Sequence, residues 1–109
     1  NFAEDLVKQI ADFERLSINQ NLCVAGDFNI SLADDYYYTK FGRKALNRSF
    51  ENLNIEVLTR NRQQCIDHIA VSKKFLGNAS IKIVEWNYDK RLSDHKGIYA
   101  DINVDTEQN

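Results

Sequence analysis

The chain has 109 residues, and its hydrophobic and charged fractions of 43% and 28% match those of globular proteins, which excludes a disordered or collagen-like chain. The net charge of −2 provides no basic excess of the kind that marks many nucleic-acid-binding domains. No apolar run is long enough to cross a bilayer and residues 1–5 lack signal-peptide features, so a cytoplasmic location is favoured over a secreted one.

The first half of the chain predicts a helix, a strand and a second helix. From Phe2 to Leu16, apolar side chains recur three and four positions apart, which is typical of an amphipathic helix. The apolar run Leu22 to Ala25 ends at Gly26, as in a buried strand that leads into a loop. An aromatic-rich surface loop over Ser31 to Phe41 then precedes a helix predicted for Arg43 to Leu53.

The second half of the chain predicts strands, with one short turn between them. The strands are expected at Ile55 to Thr59, Ile66 to Ser72, Ile81 to Trp86 and Gly97 to Val104, and the turn at Lys73 to Gly77. The tail from Asp105 onward is predicted to be frayed. These elements predict a single α/β domain over residues 1–109, with one mixed or antiparallel sheet and helices on one face.

Two groups of residues have ordinary structural interpretations. Cys23 and Cys65 lie among apolar residues and are predicted to be buried, reduced thiols. The basic clusters are most simply solvated surface, although an acidic total does not exclude a local basic rim. These clusters are Lys73 with Lys74, Lys40 with Arg43 and Lys44, and Arg60 with Arg62.

The segment Gly26-Asp27-Phe28-Asn29 is the first that can carry chemistry. Asp27 and Asn29 are two residues apart, so on an extended backbone they project to the same side while Phe28 points into the core. A carboxylate beside a carboxamide can position water or a phosphate oxygen, or bind a hard cation such as Mg²⁺. An ordinary turn is the competing interpretation.

Two further segments combine an aspartate with a histidine. In Ile66-Asp67-His68-Ile69 the polar pair interrupts an apolar strand, and a buried carboxylate needs a partner such as an imidazole N–H or a neighbouring arginine. In Ser93-Asp94-His95-Lys96, on a loop, His95 can act as a general acid or base if another carboxylate orients it. Asp67 is the candidate for that carboxylate. An exposed polar turn is the alternative for the loop segment.

In this order and at predicted strand ends, the three segments resemble the C-terminal motifs of the endonuclease/exonuclease/phosphatase superfamily, over essentially the whole chain. That family includes DNase I-like nucleases, exonuclease III-like abasic-site endonucleases, sphingomyelinases and inositol-polyphosphate phosphatases. The resemblance implies half of a four-layered α/β sandwich and dependence on Mg²⁺ or Mn²⁺.

The resemblance also implies a role for each matched residue. Asp27 and Asn29 would position the attacking water and stabilise the phosphate, with Asp27 also contacting a metal ion. His95 would contact the scissile phosphate, and Asp67 would orient the imidazole. Asp94 would be a metal ligand.

The family's N-terminal half supplies an asparagine and a glutamate that is the principal metal ligand, and no match for either is found. Glu4 and Glu14 precede the first motif strand and belong to no recognisable motif. The chain is therefore expected to be a fragment with little or no activity alone. Its expected partners are the N-terminal half of the domain, or a second copy that covers the exposed sheet surface.

Three functions remain open from the sequence. The leading hypothesis is a metal-dependent phosphodiesterase, nuclease-like, acting on a phosphoester substrate with nucleic acid among the candidates. The alternatives are a phosphomonoesterase acting on lipid or inositol headgroups, and a non-catalytic binding or assembly module that retains the motifs. Substrate contacts are expected from the stretch Tyr36 to Phe41, where tyrosine stacking on a base competes with plain packing.

Overall fold

The computed structural model describes residues 1–104, so the tail from Asp105 onward, predicted to be frayed, lies outside the described residues. The α/β class is confirmed. In chain order the elements are α1 (Phe2–Leu16), β1 (Cys23–Asp27), α2 (Lys40–Asn52), β2 (Ile55–Val57), β3 (Asp67–Ser72), α3 (Lys73–Leu76), β4 (Ser80–Trp86) and β5 (Gly97–Asn103). The segment Lys73 to Gly77, predicted as a turn, is a single helical turn that follows β3 directly.

Helix α1 has the bounds predicted from its apolar spacing. It begins after Asn1, whose side chain accepts a hydrogen bond from the backbone N–H of Glu4 at 3.0 Å within a capping box. Its apolar side covers the core: Leu6 is buried, and the Phe13 ring lies 5.7 Å from that of Phe50.

Helix α2 begins three residues earlier than predicted because a threonine caps it. The Thr39 hydroxyl accepts a hydrogen bond from the backbone N–H of Gly42 at 3.0 Å. Gly42 allows a close approach, since a Cβ there would lie only 3.0 Å from side-chain carbons of Ile30 and Phe2. Leu46, one turn further along, is fully buried in the core beneath the helix.

The first sheet has the strand order β1-β3-β2, with both pairs antiparallel. Its register places Gly26 opposite His68 and Asp27 opposite Asp67. The prediction that β1 ends before Gly26 is therefore wrong, because pairing with β3 keeps the backbone extended through Asp27. As a result Asp27 is anchored in a strand.

The two faces of this sheet have different surroundings. His68 and Ala70 are buried on the face that packs against α1 and α2, so the predicted helix-covered face is confirmed for this sheet. The opposite face carries Cys23, which is exposed, and the prediction that this thiol is buried is wrong. Strand alternation explains the difference, since Cys23 points away from the helices. Cys65 is buried as predicted, and burial raises its pKa to about 11.

The remaining strands, β4 and β5, form a separate antiparallel sheet, so the described strands make two sheets where one was predicted. β5 contacts β3. An ion pair also connects the sheets, because the nearly buried Glu85 carboxylate on β4 lies 3.3 Å from Arg62, in the loop before β3. Lys96, directly before β5, lies 2.7 Å from the same carboxylate. The four-layered sandwich remains a prediction. No helix among residues 1–104 combines the length and apolar character needed to cross a membrane.

Candidate active site

The centre of the candidate site is a cross-strand pair of carboxylates. Asp27 and Asp67 are register partners in the β1–β3 ladder, and their side chains are 40% and 23% exposed. Like charges directly opposite each other destabilise a sheet. Within residues 1–104, no lysine or arginine forms an ion pair with either carboxylate. The pair therefore concentrates negative charge at the end of two strands.

His95 approaches this carboxylate pair from the loop between β4 and β5. Its Nδ1 lies 2.7 Å from Asp67 Oδ2, and its Nε2 lies 3.8 Å from Asp27 Oδ2. Because a carboxylate oxygen accepts, Nδ1 carries the proton in this hydrogen bond, as expected for an imidazole that Asp67 orients. The hydrogen bond to Asp67, followed by the charges of the nearby carboxylates, raises the pKa of His95. The imidazole is therefore biased towards its charged form.

A single asparagine holds the loop that presents His95. The Asn87 side-chain amide donates to the carbonyl oxygens of Ser93 at 3.1 Å and of His95 at 2.7 Å. Its carbonyl oxygen accepts from the Leu92 N–H at 3.1 Å. Asn87 itself has a φ of 62°, which asparagine tolerates better than most residues. This role was not predicted from the sequence, although an asparagine directly after a strand was an available signal.

Asn29 does not continue the extended backbone that was expected for it. Its φ is 55°, and its backbone N–H donates to Asp27 Oδ1 at 2.8 Å, so the carboxylate forms a local turn. The expectation of two side chains on one side of an extended strand is wrong for this reason. Phe28 between them is buried as expected. Asn29 lines a neighbouring cleft together with Tyr36, and its role remains a prediction.

The atoms that can hold a cation come from Asp27, Asp67 and His95, and these lie within 4.8 Å of one another. Asp27, predicted as a ligand, is in this group, whereas Asp67 was predicted only to orient the imidazole. Asp94 is exposed and lines a recess of about 50 Å³ beside Asp67 and His95, outside the converging group. Its role as a ligand remains a prediction.

His68, adjacent to Asp67 in sequence, has a structural role. Only 1% of it is exposed, and its Nε2 lies 2.7 Å from the carbonyl oxygen of Ile30. A carbonyl oxygen only accepts, so Nε2 carries the proton and Nδ1 accepts from the Thr59 hydroxyl at 2.7 Å. Burial lowers the pKa of His68 and keeps it neutral. It anchors the segment after Asp27 to the core.

Comparison with known proteins provides no relative for this chain. No family model matches it, and neither the curated proteins nor the solved structures contain a match. The resemblance described above therefore depends on the three motifs alone.

Proposed function

We propose that the domain containing this chain is a metal-dependent phosphodiester hydrolase in which Asp27, Asp67 and His95 act at the reacting phosphate. One observation carries the proposal: a histidine bridges two aspartates that face each other across a ladder, at 2.7 Å and 3.8 Å. Simple structural roles do not require this accumulation of like charge at a partly exposed strand end. The motif resemblance supports the same reaction class.

The donor set fits a hard divalent cation such as Mg²⁺ or Mn²⁺. Asp27 and Asp67 supply carboxylate oxygens, which such ions prefer, and no lysine or arginine in the described part of the chain forms an ion pair with them. These two residues would hold the ion, with Asp94 nearby in the recess beside His95. When bound, the cation would neutralise charge that develops on the phosphate in the transition state.

The protein's own groups suit the two proton transfers of hydrolysis. As the water oxygen bonds to phosphorus, the Asp27 carboxylate accepts a proton from that water. As the phosphorus–oxygen ester bond breaks, the leaving oxygen takes the proton on His95 Nε2. Asp67 keeps the imidazole oriented through its hydrogen bond to Nδ1 at 2.7 Å.

The openness of the site favours an ester within a long molecule. Asp27 and His95 are 40% and 41% exposed, so the groups that would act on the phosphate face solvent. On the part of the domain that this chain forms, a substrate would therefore lie across the surface. A phosphodiester in an extended chain can do so, because both of its ester arms point away from the phosphate.

Hydrolysis of bis(4-nitrophenyl) phosphate tests the proposal in the longest form of the protein that its gene encodes. We expect activity with Mg²⁺ or Mn²⁺ that chelation abolishes. The rate of His95→Ala should be lower by at least about 100-fold. The matched control is Asp89→Asn, which changes an exposed acid in the same loop and should leave the rate unchanged. An unchanged rate in His95→Ala, or no metal-dependent hydrolysis, would contradict the proposal.

The same assay separates the alternatives. Faster hydrolysis of 4-nitrophenyl phosphate than of the diester would identify a phosphomonoesterase. Absence of hydrolysis of both substrates with either metal would identify a non-catalytic module.

A further inference from the structure

The exposed side of α2 carries a regular row of positive charges. Lys40, Lys44 and Arg48 are all exposed and lie four residues apart, so they follow one line along the helix with a charge about every 6 Å. None of the ion pairs within residues 1–104 involves any of them. We call these three side chains the basic ridge. Their charge is not neutralised by the protein itself.

Arg43, on the same helix, is used differently. Its guanidinium lies 3.8 Å from the centre of the Tyr38 ring, and its Nε donates to the carbonyl oxygen of Ser31 at 2.9 Å. It also pairs with Asp35 at 3.5 Å. Arg43 therefore fixes the loop before α2, and it holds Tyr38 in place at the start of the basic ridge.

The loop that Arg43 fixes connects the basic ridge to the candidate site. Tyr36, Tyr37 and Tyr38 line a cleft of about 640 Å³, which we call the tyrosine cleft. At one end, Tyr36 also lines the recess that contains Asp67 and His95. At the other end, Tyr38 also lines a groove along α2 whose walls include the three side chains of the basic ridge. The candidate site, the tyrosine cleft and the basic ridge therefore lie next to one another along the surface.

The rings of the tyrosine cleft are accessible to a ligand. Tyr36 and Tyr37 are 47% and 56% exposed, so much of each aromatic side chain faces solvent. Exposed aromatic rings beside a positively charged groove are the combination with which proteins hold single-stranded nucleic acids, since bases stack on the rings and phosphates follow the charges. Paired bases in a duplex are already stacked and do not offer their faces in this way.

We propose that the tyrosine cleft and the basic ridge bind a single-stranded nucleic acid, with bases on Tyr36 and Tyr37 and phosphates along Lys40, Lys44 and Arg48. A small anion would contact only one or two charges of a row spaced by about 6 Å, whereas a polyanion contacts all of them. Glu51 lines the far end of the same groove, so the favourable stretch ends near Arg48. This surface deepens the proposed function by naming the substrate class, and only the delivery of a phosphodiester to His95 depends on that function.

Fluorescence anisotropy with a labelled single-stranded oligonucleotide, in EDTA so that no hydrolysis occurs, tests the binding. The double variant Lys44→Glu, Arg48→Glu should bind at least about tenfold more weakly, and the negative slope of log K against log salt should become less steep by about 0.7 for each lost phosphate contact. Lys8→Glu with Lys82→Glu is the matched control, because both lysines are exposed, lie outside the basic ridge and change the net charge equally.

A second pair of variants tests the stacking. Tyr36→Ala with Tyr37→Ala should weaken binding while leaving the salt slope unchanged, because stacking releases no counterions. Equal weakening by the control pair, unchanged binding in both double variants, or tighter binding to anionic lipid vesicles than to the oligonucleotide would overturn the proposal. Failure here would leave hydrolysis of a small diester intact, whereas failure of the proposed function would leave this binding intact, so the two results are distinguishable.

Discussion

His68 and His95 lie close to the same aspartate, yet their surroundings give them opposite protonation preferences. His68 is 1% exposed and satisfied by a carbonyl oxygen and a hydroxyl, and burial lowers its pKa. His95 is 41% exposed and faces carboxylates, and its pKa is raised. Only the second can exchange a proton with a ligand. The sequence names Asp67 as the carboxylate that orients His95, and the structure places the two side chains in contact at 2.7 Å.

At the residue scale, Asp67→Asn should lower the pKa of His95 in the metal-free protein, because the substitution removes the negative charge and retains an accepting oxygen. The raised pKa stabilises the folded state at pH values below about 6.5, the unfolded value, and this contribution is lost as pH rises through the folded value. Asp67→Asn should therefore destabilise the protein more at acidic than at alkaline pH. NMR titration of the imidazole and unfolding at several pH values measure both effects.

Asp94→Asn is the control for that measurement. Asp94 also raises the pKa of His95, but its contribution is the smallest of the causes. It should shift the titration less than Asp67→Asn. An equal or larger shift would contradict the assignment of Asp67 as the principal partner.

At the scale of elements, the hairpin of β4 and β5 depends on one glycine. Gly97 is the register partner of Trp86, and the indole lies across it so closely that a Cβ would be 1.9 Å from a ring carbon. This contact brings the ring over the start of β5, two residues after His95. Position 97 needs glycine because the Trp86 ring occupies the space that a Cβ would fill.

Gly97→Ala should move the Trp86 ring, which is already 48% exposed, further into solvent and destabilise the protein by about 1–3 kcal/mol, as for other overpacking substitutions. Trp86 is the only tryptophan of the chain, so its fluorescence reports the change directly. We expect emission at longer wavelength and easier quenching by acrylamide. Ser80→Ala, at the opposite end of the hairpin, should leave the spectrum unchanged. An unchanged spectrum in Gly97→Ala would show that the close contact does not form.

At the scale of the whole molecule, the face of the first sheet that points away from α1 and α2 is incompletely covered. A cleft of about 250 Å³ there is lined mostly by apolar side chains, with Phe75 44% exposed at its edge. Cys23 and Ala25 are exposed on the same face. An uncovered apolar surface of this kind favours association with another surface.

We therefore expect the chain to self-associate as its concentration rises, which sedimentation velocity can measure. Phe75→Glu should shift the equilibrium towards monomer, because it places a charge at the apolar cleft. Val7→Glu is the matched control, since Val7 is an exposed apolar residue on α1, outside the cleft. A monomer at every concentration would contradict the expectation, as would equal effects of the two substitutions.

The helices and strands could be predicted from the sequence because they depend on local periodicity. The apolar spacing of Phe2 to Leu16 and the alternation after Gly97 identify a helix and a strand without reference to the rest of the chain. Their ends were less predictable, since a cap such as Thr39 or a strand partner such as β3 decides where an element stops. The division into two sheets also depended on pairings between distant residues.

The sequence by itself determined the α/β class, because periodicity is a local property, and the family resemblance of its three motifs singled out Asp27, Asn29, Asp67, Asp94 and His95. Only the tertiary structure decided that Asp27 faces Asp67 across a ladder, that Asn29 turns away and that His95 approaches both carboxylates. The physical reason is that electrostatic and hydrogen-bonding contacts depend on distances in space, which strand register and the Asn87-held loop set between residues far apart in the chain.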